Sequence, residues 1–349
     1  MERFKHGGDI YGNHGVKLDF SVNTNPFGLP NPVRDALTAR IDDFSNYPDP
    51  LCRELNFAIA SYENVKREWI LCGNGAADLI YRLCFALKPK RALVCVPTFT
   101  EYEKALEQVG SEIIYHKLKA ENGFDLTDEL LDCINHGVNM LFLCHPNNPT
   151  GRLIPNELME RIMVRARQTN TIIVVDECFL EFTTGSSTKR FLPEIPGLCI
   201  LKAFTKIYAM AGLRLGYMIS SDTTLLQKIN AAAQCWSVSV PAQIAGVAAL
   251  TCEDWVENTL HLIETERQFL SSSLESLGIK VFNSDANYLL LRSELPLYEL
   301  LLQKGIMIRS CENFRGLDSS YYRIGIKKHS ENAYLIQTIK ELVQTGSGV

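Results

Sequence analysis

The sequence is poor in several features that mark whole classes of protein. It has no C-x-x-C pair and no cluster of cysteine and histidine at zinc-binding spacing, so we expect no metal site. No apolar run approaches the roughly 18 residues of a membrane-spanning helix, and the first residues lack the apolar core of a secretory signal. We therefore expect no membrane partner.

The chain also has no excess of positive charge. Lysine and arginine number 35 against 40 aspartate and glutamate residues, which gives a formal net charge of −5 at pH 7. A mildly acidic chain lacks the bulk electrostatics of a nucleic-acid binder, although a local basic pocket for a small anion remains open. The 11 cysteines are an odd number, and several lie inside apolar runs. Buried free thiols are typical of a reducing compartment, so we expect a cytoplasmic protein.

What the sequence does have is an ordinary globular composition, with 46% hydrophobic and 21% charged residues over 349 residues. From about residue 50, segments with helical periodicity, such as Leu51–Glu63, alternate with apolar runs of strand length. These runs cover residues 91–97, 111–118, 139–146, 171–177, 198–204 and 213–220. Continuous apolar runs are typical of strands buried on both faces of a mainly parallel sheet, which predicts an α/β domain.

The two ends of the chain differ from its middle. The first 45 or so residues are rich in turns, with one short extended run at Val16–Val22, and residues 240–277 are predicted to form one long helix. Strand-like and helical segments then mix to the C-terminus. We predict an N-terminal segment (1–45) that packs with the small domain, a large α/β domain (46–275) and a small α+β domain (276–349).

The strongest local signal is the run AFTKIYAMAGLRLGY, where Lys206 follows a buried strand and Arg214 comes eight residues later. A lysine at a strand end is usually solvated. Here the neighbours are mostly apolar, and desolvation lowers the pKa of a lysine and favours the neutral amine that Schiff-base chemistry needs.

Three further motifs follow or precede predicted strands: Asp176 in TIIVVDE, the turn HPNNPTG at 145–151, and GNGAAD at 73–78 opening a helix. Each alone has an ordinary explanation as a cap or a turn. However, ligands bind at the carboxyl ends of parallel strands, and helix N-termini bind phosphate. Pyridoxal 5′-phosphate (PLP) requires a combination of these groups: a lysine for an imine, an acid for its ring nitrogen, an amide near its phenolic oxygen and a helix start for its phosphate.

The order and spacing of GNGA, PNNPTG, VVDE and TK…GLRLGY resemble those of the fold type I PLP-dependent enzymes, specifically the class I and II aminotransferase family, over nearly the whole chain. The resemblance implies a large domain with a mainly parallel seven-stranded sheet sandwiched by helices, and a smaller α+β domain. It also implies PLP as cofactor and a homodimer with shared active sites.

The resemblance also assigns roles to residues. Lys206 would form the imine with PLP and move protons, Asp176 would hold the proton of the pyridinium nitrogen, and Asn148 would donate to the ring phenolate oxygen. Phe99 would stack on the ring, and Phe179 stands where aminotransferases usually have a tyrosine that contacts the cofactor oxygen. The cofactor phosphate would be held by the backbone at Gly75, Ala76 and Ala77, by Thr205 and Arg214, and by Tyr47 of the other subunit.

Within the family the chain resembles two groups that act on phosphorylated amino compounds, the threonine-phosphate decarboxylases and the histidinol-phosphate aminotransferases. The segments HGGDI, LDFSVNTNPFGLP and IRSCENFRGLDSSYYRIGIK favour the first group. Arg309, with His6, would bind the substrate phosphate, and Arg323, with Asn23, the substrate carboxylate. A histidine near a terminus is, however, more often solvent-exposed than functional.

These resemblances imply decarboxylation of L-threonine O-3-phosphate to (R)-1-aminopropan-2-yl phosphate and CO₂. A methyl group is worth only about 1–3 kcal/mol in an apolar pocket, so L-serine phosphate stays open as a second substrate. The alternative is histidinol-phosphate aminotransfer, or a related aminotransfer, with 2-oxoglutarate and glutamate.

Overall fold

A computed structural model describes residues 6–13 and 15–346 of the chain. The strands in that range are β1 (Leu18–Asp19), β2 (Ile70–Gly73), β3 (Arg91–Val96), β4 (Glu112–Lys117), β5 (Met140–Cys144), β6 (Ile172–Asp176), β7 (Leu198–Ala203), β8 (Gly216–Ile219), β9 (Lys280–Val281), β10 (Tyr288–Arg292), β11 (Ile306–Met307), β12 (Arg309–Ser310) and β13 (Tyr321–Gly325). The helices are α1 (Asn31–Ala39), α2 (Arg53–Glu63), α3 (Ala76–Leu87), α4 (Glu101–Glu107), α5 (Glu129–Cys133), α6 (Asn156–Thr169), α7 (Phe204–Ile207), α8 (Thr223–Ala231), α9 (Val240–Ala249), α10 (Trp255–Ser276), α11 (Leu297–Gln303) and α12 (His329–Gly346).

The larger sheet has seven strands in the order β2-β8-β7-β6-β5-β3-β4. Strands β3 to β7 pair in parallel, whereas β8 runs antiparallel to both of its neighbours, β2 and β7. Every residue of β5 and β7 is buried, as continuous apolar runs require. The prediction of a mainly parallel seven-stranded sheet is confirmed, and the six apolar runs each contain one of its strands.

Helices cover both faces of this sheet. Alternate residues of β5 belong to two separate cores, as expected for side chains that alternate across a strand. Phe142 packs with residues of α3, α4 and α8, whereas Leu141 lies in the core formed with α2, α6 and α10. In the described part of the chain, no helix is both long and apolar enough to cross a membrane.

The smaller sheet is antiparallel, with the order β12-β13-β10-β9, and it forms after the long helix α10. Strand β1 pairs in parallel with β11, and the Gly325 amide donates to the Phe20 carbonyl at 2.8 Å. The N-terminal segment therefore contacts the C-terminal part of the chain. The domain boundaries near residues 45 and 275 stay predictions.

One predicted element is wrong: residues 240–277 are two helices, α9 and α10, and not one. The break falls in the sequence Thr-Cys-Glu-Asp, whose threonine, cysteine and aspartate are poor helix formers. Asp254 has a φ of 55°, a left-handed conformation that ends helical continuity. The new direction lets the Trp255 indole donate to the Ile207 carbonyl at 2.8 Å, so that α10 begins against the segment that carries Lys206.

Candidate active site

A cavity lies at the carboxyl edge of the parallel strands, the edge at which ligands bind in open α/β sheets. Cys144, Asp176 and Ala203, the last residues of β5, β6 and β7, all line it. Thirteen of the residues predicted from the sequence also line it: His6, Asn23, Ala76, Ala77, Phe99, Asn148, Asp176, Phe179, Thr205, Lys206, Arg214, Arg309 and Arg323. The fold thus brings residues from both ends of the chain to one cavity.

Lys206 lies in the short helix α7, and neighbouring segments fix its backbone. The Asn25 amide donates to the Lys206 carbonyl at 2.9 Å, and the Asn25 side chain donates to the Ile207 carbonyl at 2.8 Å. The Nζ atom lies 5.8 Å from the centre of the Phe179 ring. Burial, with the positive charges of Arg323 and Arg214, lowers the pKa of Lys206 to about 8. A substantial fraction of the amine is therefore neutral near pH 8.

Asp176 is buried and receives two hydrogen bonds. The Tyr102 hydroxyl donates to Oδ2 at 2.6 Å, and the Cys178 amide donates to Oδ1 at 3.0 Å. Burial and the charge of Asp176 raise the pKa of Tyr102 well above its ordinary value, so the tyrosine stays a donor. The two donors fix the position of the Asp176 carboxylate, which lines the cavity.

Tyr102 was not predicted as a site residue. Its ring stacks on Phe142, with ring centres 4.9 Å apart, and meets Phe99 edge to face at 5.6 Å. It follows Phe99 by three residues in the motif PTFTEY, which is a short-range signal. Its partner Asp176, however, lies 74 residues away in sequence. The sequence alone did not connect them.

The start of α3 forms a cradle for an anion. Gly75 has a φ of 85°, and a Cβ atom there would lie 2.8 Å from Arg214 Nη2. A Cβ atom on Gly216 would lie 2.6 Å from the Ala76 nitrogen. Both glycines therefore allow Arg214 and strand β8 to approach the free amides at the start of the helix. A helix N-terminus with an adjacent guanidinium fits the phosphate of PLP, and Thr205 lines the same cavity.

Arg323 contacts three neutral acceptors. Its Nη1 donates to Asn148 Oδ1 at 2.5 Å and its Nη2 to the Ser21 carbonyl at 2.8 Å. With the Asn23 amide oriented so that its oxygen faces the guanidinium, that oxygen accepts from Nε at 3.3 Å and from Nη1 at 3.2 Å. Because Asn148 accepts through its oxygen, its amide NH₂ is left as a possible donor to a ligand in the cavity.

Arg309 lies directly opposite Arg323 on the neighbouring strand of the smaller sheet. Its Nη2 donates to Asn313 Oδ1 at 2.6 Å, and its guanidinium lies 5.3 Å from the centre of the Phe314 ring. Burial, with the charge of Arg323, lowers the pKa of Arg309 to about 10. Across residues 6–13 and 15–346, neither guanidinium has a carboxylate within 4 Å, although both side chains are buried.

Two predicted residues lie at the margin of the site or outside it. His6 lines the mouth of the cavity, and its Nε2 lies 2.9 Å from Glu101 Oε1 and 3.2 Å from Lys104 Nζ. Tyr47 is 79% exposed and stacks on Trp236 with ring centres 4.6 Å apart, outside the cavity of its own chain. Its contact with a second subunit stays a prediction.

The family model for aminotransferase class I and II matches residues 16–339. The chain belongs to this family. Its members depend on PLP, and the lysine, aspartate, asparagine and anion cradle described above fit that cofactor. The chain is therefore a PLP-dependent enzyme of fold type I.

The chain is similar to threonine-phosphate decarboxylases and to histidinol-phosphate aminotransferases. The threonine-phosphate decarboxylase of Salmonella typhimurium is 37% identical over 93% of this chain and 91% of its own length. A histidinol-phosphate aminotransferase of Desulfitobacterium hafniense is 34% identical over 94% and 92%. The solved histidinol-phosphate aminotransferase of Clostridium acetobutylicum superposes with a TM-score of 0.88 at 31% identity, over 94% of this chain and 99% of that one.

Proposed function

We propose that the protein decarboxylates L-threonine O-3-phosphate, releasing CO₂ and (R)-1-aminopropan-2-yl phosphate. The observation that carries this proposal is the pair of buried guanidinium groups of Arg309 and Arg323, which face the cavity without a carboxylate partner. Buried charges are costly unless they are paired, so the pair favours a ligand with two anionic groups. A phosphorylated amino acid has both a phosphate and a carboxylate.

The two arginines differ in how much of their hydrogen-bonding capacity is in use. Arg323 already donates to Asn148, Ser21 and Asn23, whereas Arg309 has Asn313 as its one hydrogen-bond acceptor among the described residues. We therefore assign the phosphate, which offers more acceptor oxygens, to Arg309 and the carboxylate to Arg323. Holding both ends of the substrate fixes the rotation of its Cα bonds.

PLP, when bound, acts as an electron sink for the bond at Cα that stands perpendicular to its ring. Asp176, fixed by Tyr102 and Cys178, would hold the proton on the ring nitrogen. Asn148 would donate to the ring oxygen, and Phe99 would cover the ring. Lys206 Nζ, whose pKa near 8 suits proton transfer close to neutral pH, would deliver the proton that replaces CO₂ at Cα.

The second candidate is histidinol-phosphate aminotransferase activity, which the 34% identity to that group favours. Histidinol phosphate has a phosphate and an amine but no carboxylate. It would therefore neutralise one of the two buried arginines and leave the other to the glutamate of the second half-reaction. Phe179 has no hydroxyl group to offer to the ring oxygen, which weighs against a tyrosine-assisted aminotransfer at this site.

The deciding experiment is incubation of the PLP-loaded protein with L-threonine O-3-phosphate in the absence of any keto acid. We expect CO₂ in amounts equal to the aminopropanyl phosphate formed, and L-serine phosphate is the next substrate to test. The Lys206→Ala variant is the control for uncatalysed loss of CO₂. If no CO₂ appears, and pyridoxamine phosphate forms with histidinol phosphate or glutamate, the protein is an aminotransferase.

We also propose a homodimer in which Tyr47 reaches the cofactor phosphate of the other subunit. Tyr47, Trp236, Ile41 and Leu51 are large, apolar and exposed, as surfaces covered by a partner are. Mixing Lys206→Ala and Tyr47→Ala chains tests the shared site, because each mixed dimer then has one cavity with both native residues. Activity above that of either variant alone is expected, and activity no greater than their average would refute the sharing.

The eleven cysteines are all unpaired, and most are buried. Free thiols persist in a reducing environment, which supports the proposal that the enzyme works in the cytoplasm.

A further inference from the structure

Two side chains from one short loop hold Arg309. Residues 312–316 connect β12 with the approach to β13, and we refer to them as the clip loop. Asn313 Oδ1 accepts from Arg309 Nη2 at 2.6 Å, and the Phe314 ring lies 5.3 Å from the guanidinium carbon. Phe314 is 4% exposed and lines both the cavity and the groove at its mouth. The position of Arg309 therefore depends on the position of this loop.

Arg315, which follows Phe314 in the clip loop, contacts helix α4 and strand β4 of the larger sheet. Arg315 forms two hydrogen bonds with Glu103 of α4, one from Nη2 to Oε1 and one from Nε to Oε2 at 3.3 Å. Its guanidinium also lies 4.3 Å from the centre of the Tyr115 ring in β4. The Tyr115 hydroxyl donates to Glu103 Oε1 at 2.7 Å, so all three side chains contact one another.

This cluster spans the mouth of the cavity. Residues of α4 line one wall of the groove, and residues 312–317 line the other. An exposed ion pair alone contributes little. Here, though, the contact is a two-point guanidinium–carboxylate fork that also stacks on an aromatic ring, and the Glu103 side chain is only 18% exposed. Such a fork fixes direction as well as distance.

We propose that Arg315 is a specificity-determining positioning residue: by fixing the clip loop to α4, it holds Asn313 and Phe314 so that Arg309 presents its free N–H groups to the phosphate of a phosphate monoester. The inference rests on the proposed function, because that function assigns the substrate phosphate to Arg309. Arg315 lines the groove at the mouth and is not among the residues that line the cavity. Its effect is therefore confined to ligands that carry phosphate.

The test compares ligands with and without phosphate on the PLP-loaded Arg315→Ala variant. Inorganic phosphate and L-threonine O-3-phosphate probe the Arg309 end, and unphosphorylated L-threonine probes the rest of the site through the absorbance of the bound cofactor. We expect the inhibition constant of phosphate and the KM of the phosphorylated substrate to rise about tenfold, with kcat and the L-threonine dissociation constant changed by less than about twofold. Arg315→Lys keeps the charge but loses the two-point contact with Glu103. Its inhibition constant for phosphate and its KM should lie between those of the native enzyme and of Arg315→Ala.

Arg190→Ala is the matched control. Arg190 also pairs with a glutamate, Glu160 at 3.1 Å, and also lies over an aromatic ring, Phe191 at 4.7 Å, but it does not line the cavity or the groove at its mouth. It should leave all these constants unchanged. The inference would be overturned if Arg315→Ala weakened the binding of phosphate and of L-threonine equally, or weakened the binding of neither. Absence of CO₂ from the native enzyme, with phosphate binding that still depends on Arg315, would overturn the proposed reaction and leave this inference standing.

Discussion

Lys202 and Lys206 lie four residues apart, yet their surroundings are opposite. Lys202 Nζ lies 2.7 Å from Glu63 Oε1 and 2.7 Å from Glu181 Oε1. Burial alone would lower its pKa, but Glu181 and Glu63 raise the pKa of Lys202 well above its ordinary value. Burial and Arg323 instead lower the pKa of Lys206 to about 8. A lysine whose charge is matched inside the chain stabilises the fold, whereas one left without a carboxylate is free to react.

The same contrast separates the wider surroundings of the two lysines. Around Lys202, the carboxylate of Glu63 also accepts from Tyr217 at 2.5 Å and from Lys189 at 3.0 Å, so that each buried charge has a partner. Around Lys206, the buried Arg309 and Arg323 have neutral partners. The cavity lining has the cationic side chains of Lys206, Arg214, Arg309 and Arg323 against one carboxylate, Asp176. Such an excess of positive charge is characteristic of a binding site for an anion, because the ligand supplies the missing negative charge.

The largest expected effect comes from Lys206→Ala. Removing the amine that would bind PLP covalently should abolish the visible absorbance of the lysine imine and lower kcat by about 10⁴-fold or more. Absorbance spectra of the purified protein and CO₂ release measure both. Lys202→Met should keep the absorbance. A cofactor band that persists in Lys206→Ala would assign the covalent bond to another lysine.

Lys202→Met should instead damage the fold. It leaves the buried carboxylate of Glu63 and the partly buried carboxylate of Glu181 without their main cation. Breaking a buried ion pair in this way costs about 3–5 kcal/mol. The free energy of unfolding, from denaturant titration of the apoprotein, measures the loss. Adding Glu63→Gln to the variant should recover part of it, because one uncompensated charge is then removed. A variant as stable as the native chain would contradict the assignment of Lys202 to the fold.

Acid should weaken the Lys202 region through Glu63. Burial alone would raise the pKa of Glu63, but Lys202 and Tyr217 lower it to about 2 from an ordinary 4.5. The stabilisation is therefore complete above about pH 4.5 and is lost as the pH falls toward 2, with a total of about 3 kcal/mol. The free energy of unfolding should decrease from pH 5 to pH 3 in both proteins, and the decrease should be smaller in Glu63→Gln than in the native chain. Equal losses would show that other carboxylates dominate.

The sequence predicted these two regions unequally well. Patterns a few residues long predicted the strands, the family, and the positions of Lys206, Asp176 and Asn148. The structure confirms the sheet. Glu63 was only the last residue of a predicted helix, since its partner Lys202 lies 139 residues away. The Asn313 contact with Arg309 was also missed, although it spans four residues, because a loop has no periodicity to predict side-chain direction. Pairings of this kind depend on the folded chain.

Tyr102→Phe offers the finest comparison of the two regions. The change removes the hydroxyl that donates to Asp176 and keeps the ring that packs on Phe142 and Phe99. A hydrogen bond to a charged group contributes about 1.5–3 kcal/mol, so the free energy of unfolding of the apoprotein should fall by up to that amount. Because Asp176 also loses a donor that fixes its position in the cavity, the dissociation constant of PLP should rise about tenfold. Equilibrium titration of the apoprotein with PLP measures the change.

Tyr217→Phe is the matched variant in the other region, because it removes a buried tyrosine hydroxyl that donates to the carboxylate of Glu63 at 2.5 Å. We expect it to lower the free energy of unfolding by about 1.5–3 kcal/mol and to leave the PLP dissociation constant within about twofold of the native value. If both tyrosine variants weakened PLP equally, the two charge clusters would act as one unit. If Tyr102→Phe alone weakens the binding of PLP, then Tyr102 holds Asp176 for the cofactor and Tyr217 holds Glu63 for the fold.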